Sequence, residues 1–245
     1  MKTIGVIGKG GSGKTTVSIN LACALGLMSK KVTLIDLHMT SSHLAVEFGI
    51  IPQTTINDHV VSGERLEDAL HPQFNMFVIP SSLNMFRHEY TNFTKVKENV
   101  KSAFGDFDFA VLDSAPGLGK EAIGAIEASD EVIIVTNPTM SSVTDAIKLK
   151  HAAQKAGANP IGVVLNKQVN KWFEIPHEQI SEIVELPVLA TIRNDEDFLK
   201  SQAARTPMVF YNRKKSEEFF KLAASVIGTE YKKGLFQSLL SHHNH

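Results

Sequence analysis

Gly8-Lys9-Gly10-Gly11-Ser12-Gly13-Lys14-Thr15-Thr16 lies between an apolar run, Thr3-Ile4-Gly5-Val6-Ile7, and the stretch Val17-Ser18-Ile19-Asn20-Leu21-Ala22-Cys23-Ala24-Leu25. The run reads as a buried β-strand and the later stretch as a helix, so the glycines fall at a strand-to-helix turn. Glycines let backbone N–H groups turn inward onto an anion, and the positive end of the helix dipole adds to the potential there. Gly8 through Thr15 satisfy the spacing Gly-x-x-x-x-Gly-Lys-Ser/Thr, in the strand–loop–helix context that this phosphate-binding pattern requires. The reading nominates Gly10, Gly11, Ser12, Gly13, Lys14, Thr15 and Thr16 as nucleotide-binding residues. Lys14 is expected to reach the β- and γ-phosphates, and the Thr15 hydroxyl to ligate Mg²⁺. The flanking strand and helix weigh against the alternative, a glycine-rich turn with a surface lysine.

Outward from the loop, apolar runs alternate with helical segments. Lys31-Val32-Thr33-Leu34-Ile35-Asp36 reads as a strand ending in a carboxylate. Strands of a parallel sheet end at the ligand face, which brings Asp36 to the edge that holds the loop. A short helix closed by Gly49 follows, then mixed helical spacing from Thr54 to Leu70, a strand over Asn75–Pro80 and a helix over Val96–Phe104. Phe107-Asp108-Phe109-Ala110-Val111-Leu112-Asp113 is a second strand ending in aspartate. Such a residue beside a phosphate loop commonly holds Mg²⁺ through a water; the alternative is an N-cap for the next helix. Ser114 to Gly119 is then a loop whose glycines permit rearrangement with nucleotide state. Further strands are expected at Glu131–Thr136, Pro160–Asn166 and Pro187–Ile192, with helices at Glu121–Ala128, Ser141–Ala156 and Glu217–Ile227. Strand–helix alternation of this kind predicts an α/β fold, a mostly parallel sheet covered by helices on both faces. No linker or internal repeat divides it, so residues 1–228 are expected to form one domain and 229–245 a tail.

Composition excludes several classes of function. The 245 residues are 43% hydrophobic and 21% charged, with a formal net charge of −1. That is ordinary for a globular protein and advertises no global field for nucleic acid. The one cysteine, Cys23, cannot form an internal disulfide and reads as buried filler. No apolar run is long enough to span a bilayer. With a core strand at the very start there is no room for a signal peptide, and the expected location is cytoplasmic.

Lys9-Gly10-Gly11-Ser12-Gly13-Lys14-Thr15 resembles the deviant Walker A motif of the MinD/ParA family of P-loop ATPases. Asp113-Ser114-Ala115-Pro116-Gly117-Leu118-Gly119 resembles the Walker B and switch II segment of archaeal MinD-like proteins. Val135-Thr136-Asn137-Pro138, with Ser142-Val143-Thr144-Asp145 after it, and Val163-Val164-Leu165-Asn166-Lys167 are similar to two further segments of the family. The resemblance runs from the first strand to about Phe220. It implies an ATPase using ATP/ADP with Mg²⁺. Lys9 becomes the signature lysine that reaches the partner's phosphates across an ATP-dependent homodimer, in the manner of an arginine finger. Asn166 would contact adenine. Thr15, Asp36 and Asp113 would serve the Mg²⁺ shell, and Lys9, Lys14 and the residue at position 38 the chemistry.

Position 38 is where the chain departs from the pattern. The family usually shows Asp-x-Asp here, the second aspartate activating the attacking water, whereas this segment is Asp36-Leu37-His38. A neutral imidazole accepts a hydrogen bond from water and a protonated one does not. The expectation is therefore ATP binding with slow, pH-sensitive or absent turnover.

In the tail, Leu235, Phe236, Leu239 and Leu240 form one narrow helical face behind Lys232 and Lys233. Residues 231–241 resemble the membrane-targeting helix of MinD proteins, weak alone and strengthened by avidity in a dimer. The alternative is that these side chains pack on the domain. The leading expectation is a MinD-like switch that recruits or positions an unknown protein partner, peripheral at the inner face of the cell membrane. A ParA-like partition ATPase binding DNA, disfavoured by near-neutral charge, and a non-hydrolysing scaffold are the alternatives. Iron–sulfur carriers and nitrogenase-type reductases need cysteines that are missing.

Overall fold

The structure, a computed structural model, describes residues 1–83, 93 and 95–231. Its strands are β1 (Lys2–Gly8), β2 (Val32–Leu37), β3 (His71–Gln73), β4 (Met76–Ile79), β5 (Phe109–Ser114), β6 (Glu131–Thr136), β7 (Asn159–Gln168) and β8 (Val188–Arg193). They form one sheet in the order β3-β4-β2-β5-β1-β6-β7-β8. Every pairing is parallel except that of β3 with β4. The β3–β4 hairpin is too short and polar for its first strand to show in the sequence, where only β4 is legible.

The central strands are apolar at every position because both faces of the sheet are covered. Period-two alternation sends Ile4, Val6, Leu34, Val111 and Ile133 to one face. There they pack against α1 (Lys14–Leu27) and α10 (Glu217–Ile227), which contribute Leu21, Leu25, Phe219 and Leu222. Ile35, Leu37 and Leu112 point the other way, toward α4 (Val96–Ala103) and Phe104. Ile7 and Ile134 meet α6 (Met140–Lys155) through Val143 and Leu149. Each fully buried side chain of this kind contributes about 1.5–3 kcal/mol.

Shorter elements complete the frame: α2 (Leu44–Phe48), α3 (Ile56–Ser62), α5 (Lys120–Glu127), α7 (His177–Val184), α8 (Glu196–Ala203) and α9 (Met208–Tyr211). The Thr54–Leu70 region is not one helix. Gly63 adopts φ 73 and ends α3 there, with a separate 3₁₀ turn at Leu66–Ala69 beyond it. Gly49 ends α2 in the same left-handed conformation. Tyr231 packs half-buried against the core, and the rest of the expected tail helix lies outside the described residues. Among the described residues no helix is long and apolar enough to cross a membrane.

Gly26, near the end of α1, tests how closely that helix is seated. Alanine ordinarily favours a helix over glycine by up to about 1 kcal/mol. Here an added Cβ would fall far inside contact distance of the Asn75 carbonyl oxygen, in the turn before β4. The Asn75 side-chain amide, bonded to the Cys23 carbonyl at 3.0 Å, ties that turn to the helix. Gly26→Ala is expected to destabilise the fold by about 1–3 kcal/mol, read as a lower urea midpoint; an unchanged or higher midpoint would show that the turn yields.

Candidate nucleotide-binding site

β1 leaves the centre of the sheet into the loop, and the loop turns into α1. Gly11 and Gly13 hold φ angles of 75 and 94, so their amides turn inward where a side chain would be strained. At Gly13 a Cβ would also strike the Asn166 side-chain amide, and at Gly8 the Val135 carbonyl oxygen. The first turn of α1 has neither an acidic residue nor a side-chain cap on its amides. Such an N-terminus is a ready anion site. Ser12 Oγ is fully buried with no hydrogen-bond partner among the described residues. Lys14 is buried with its ammonium on the Lys9 carbonyl at 3.2 Å. Burial pulls the Lys14 pKa down, against the opposing attraction of Asp113.

Asp113 and Asp36 stand directly opposite each other in the β2–β5 register, and both are fully buried. Thr15 Oγ1 donates to Asp113 Oδ2 at 2.7 Å, and Ser18 Oγ donates to Oδ1 at 2.9 Å. Burial raises the pKa of Asp113, while the two hydroxyls and Lys14 oppose that rise. Asp36 Oδ1 accepts from the His38 amide at 3.1 Å. Its Oδ2 accepts from the amides of His43 and Leu44, at 3.1 and 3.2 Å, and from Ser81 Oγ at 2.9 Å. Burial and then Asp113 push the Asp36 pKa up to about 7, against the pull of those donors. The buried Asp113 and Asp36 and the half-buried Thr15 therefore form an oxygen cluster under the loop. Hard oxygen donors beside a phosphate cradle are the chemistry that Mg²⁺ requires.

The remaining nominated residues are placed as follows. A Cβ added at Gly10 would come into van der Waals contact with Pro116, and the Gly117 amide donates to the Gly8 carbonyl at 3.1 Å, so the loop after β5 is tied to the phosphate loop. Asn166 Nδ2 donates to the Ser12 carbonyl at 2.8 Å and Lys167 Nζ to that of Gly11 at 2.9 Å. The Asn166 amide thus braces the loop's backbone, while its own carbonyl is held by Asn137 at 2.9 Å. Thr16 carries its carbonyl to Asn20 Nδ2 at 2.8 Å. Lys9 reaches α6, where its ammonium donates to Ser141 Oγ at 2.6 Å and pairs with Asp145 at 3.2 Å. His38 Nδ1 lies 3.2 Å from His43 Nδ1. Burial, His43 and Lys14 push the His38 pKa down to about 4, so the ring is neutral at pH 7.

Sequence reasoning missed Ser18, Ser81, His43, Ser141 and Asp145 as partners of these groups. Ser18 was accessible, since it stands one helical turn after Lys14 on the same side of α1. His43 and Ser81 were not, because only the three-dimensional path of the chain returns them to Asp36.

The fold and this loop define a P-loop nucleotide-binding protein. Residues 1–170 match the family model described as an AAA domain. An uncharacterized ATP-binding protein of Methanocaldococcus jannaschii is 31% identical over 229 residues, covering 91% of this chain and 86% of the relative. The cell division ATPase MinD of Pyrococcus furiosus superposes with a TM-score of 0.87 at 31% identity, covering 93% of this chain and 98% of that one. The septum site-determining protein MinD of Pyrococcus horikoshii, complexed with Mg-ADP, gives 0.86 at 32% identity, covering 92% and 95%. The chain belongs to the MinD/ParA family of P-loop ATPases.

The Asp36 carboxyl gives the site a pH signature. Its pKa is raised in the fold, so from about pH 4 to pH 7 the native state keeps a proton that the unfolded chain has released. This contribution to stability is lost as pH rises through that window and is level above it. Nucleotide-free protein is expected to lose on the order of 1–3 kcal/mol more between about pH 5 and 7.5 than Asp36→Asn does. Urea melts at the two pH values check this, and parallel losses in both proteins would assign the slope to other groups.

Proposed function

We propose that this protein is a nucleotide switch of the MinD type, which binds ATP with Mg²⁺, pairs with a second copy around the bound nucleotide and hydrolyses ATP slowly. The supporting observation is the Thr15–Asp113–Ser18 hydrogen-bond set, centred on the buried Asp113 carboxyl, directly beneath the phosphate loop. The P. horikoshii relative with Mg-ADP supports the same ligand here. The α1 amides and Lys14 would bind phosphate oxygens, and Ser12 Oγ supplies a further buried polar group in the loop. Thr15, with Asp113 and Asp36 behind it, would hold Mg²⁺. The ion supplies charge neutralisation on the phosphates when bound.

The dimer reading rests on Lys9 and on the surface around it. Its ammonium is already outside its own cradle, held on Ser141 and Asp145. A partner's phosphates would replace Asp145 as its counter-charge, adding transition-state stabilisation in trans. Met140 begins α6 beside Ser141, and Trp172 and Phe173 lie in the loop after β7; all three are exposed, Trp172 to 94%. Apolar side chains on elements at the ligand edge suit a face that a second copy covers.

At position 38 a neutral imidazole, 3.2 Å from a second one, stands where the family carries a carboxylate. It lacks the negative charge and the second acceptor oxygen of the carboxylate in that pattern, which supports slow turnover. The tail face of Leu235, Phe236, Leu239 and Leu240 supports peripheral membrane contact by residues 231–241. The net charge of −1 gives the DNA-partition reading no comparable support.

Light scattering with Mg-ADP and with Mg-ATP tests the switch. A monomer is expected with ADP and a dimer with ATP. Lys9→Ala is expected to bind ADP within about twofold of wild type yet remain monomeric with ATP, and Thr15→Ala to lose at least tenfold in Mg-nucleotide affinity. A wild-type monomer with both nucleotides would overturn the reading. For the membrane, wild type with ATP is expected to float with anionic liposomes and Leu235→Glu/Leu239→Glu to stay in the pellet fraction; equal flotation would remove the tail from the function.

A further inference from the structure

The loop between β2 and α2 brings two histidines together in a way that slow turnover does not explain. His38 closes β2 and His43 precedes α2, five positions apart. Both are anchored through their backbones to the same buried carboxylate. The His38 amide donates to Asp36 Oδ1 and the His43 amide to Asp36 Oδ2, each at 3.1 Å. The Ser41 amide closes the turn onto the His38 carbonyl at 3.1 Å. One buried group thus fixes the origin of both side chains, and their rings converge with centroids 4.8 Å apart at 61°.

What meets between the rings is the same nitrogen from each, Nδ1 to Nδ1 at 3.2 Å. Two imidazole nitrogens can hold that approach only with something between them, either a proton carried by one ring or a cation. On His43 the opposite nitrogen, Nε2, faces Ser41 Oγ at 3.4 Å. A hydroxyl there can accept from Nε2–H, which leaves a lone pair on Nδ1, the arrangement found in metal-binding histidines. The separation also fits. Two bonds of about 2.0–2.1 Å to a tetrahedral zinc ion place their nitrogens roughly 3.3 Å apart.

We propose that His38 and His43 form a binding site for a divalent transition cation of the zinc type, separate from the Mg²⁺ position under the phosphate loop. Imidazole nitrogen selects such an ion over Mg²⁺, which demands oxygen. Two protein ligands leave the remaining positions to water or to an oxyanion. The electrostatic neighbours of the pair are Lys14 at His38 and Asp113 at His43, so the ion would sit beside the nucleotide cradle. It would also clamp residues 39–42, including Thr40, whose hydroxyl reaches Glu121 of α5 at 3.2 Å. The site does not depend on nucleotide being bound, so it stands or falls apart from the switch reading. Other described histidines lack this arrangement: His59, for example, is spent on the Glu64 carbonyl and the Asn99 amide.

The test must silence His242, His243 and His245, which would take up such ions on their own. The full-length chain carrying His242→Ala, His243→Ala and His245→Ala is titrated with Zn²⁺ by calorimetry in excess Mg²⁺. One ion per chain is expected, with affinity at least tenfold weaker after His38→Ala or His43→Ala. Should both variants misfold by circular dichroism, nitrogen NMR of the tail-silenced chain decides instead. Zn²⁺ is then expected to shift the Nδ1 resonances of His38 and His43 and to leave those of His59 and His71 in place. Absence of binding, binding unchanged in either variant, or shifts confined to other histidines would overturn the proposal and leave a proton shared between the two rings.

Discussion

Two carboxyl groups side by side at the ends of adjacent parallel strands impose the main constraint on this molecule. The β2–β5 register sets Asp36 opposite Asp113, and neither reaches solvent. Like charges at that spacing in a low-dielectric interior repel strongly and are costly to bury unless each is hydrogen-bonded. The surrounding sequence meets that demand in two directions. On Asp113 it supplies hydroxyls from the first turns of α1, which joins the acid to the phosphate loop. On Asp36 it supplies amides at the entrance of α2 and a serine after β4, which joins that acid to the neighbouring loop. Each carboxyl is therefore wired to a different part of the ligand edge, and the pair couples them electrostatically.

That wiring gives Asp36 a larger structural part than its place in a metal's outer shell suggests. Its four donors come from three separate chain positions around residues 38, 43–44 and 81, so the carboxylate defines the path of the loop. His38 is consequently not free to swing; its backbone is pinned and its ring is turned onto His43. What reads in sequence as a departure from a motif is, in space, one half of a paired imidazole.

Much of the fold was legible because the physics was local. Continuous apolar runs bounded by charged or turn residues marked the long strands, and the glycine spacing marked the phosphate loop. The signals failed where the chain relies on tertiary contact. β3 is His71-Pro72-Gln73, with nothing apolar to announce it, and exists because β4 offers an open edge. α7 and α8 span eight residues each and α9 four, too short to show a sustained helical period. At the site, the phosphate-loop residues and the two aspartates were visible as a motif and as strand ends. The partners of Lys9 on α6 and the return of His43 to His38 were hidden, since side-chain pairing across a turn leaves no periodic trace. The bond from the Asn166 side-chain amide to the Ser12 carbonyl left no trace in the sequence either.

The central place of β1 has a bearing on how the protein is made. The phosphate loop grows from the first strand of the chain, yet both neighbours of that strand lie far downstream: Ile4 pairs with Val111 on one side and with Glu131 on the other. During synthesis at about 5–20 residues per second, the segment that will cradle the nucleotide waits roughly 6–25 s for its second flanking strand. Until then an apolar strand and a glycine-rich turn are exposed on the nascent chain with no ladder to join. β2 and β4 can pair earlier, so the outer sheet is positioned to form first and to receive β5 before β1 is enclosed. The nucleotide cradle thus gains its second flanking strand long after its own segment is translated.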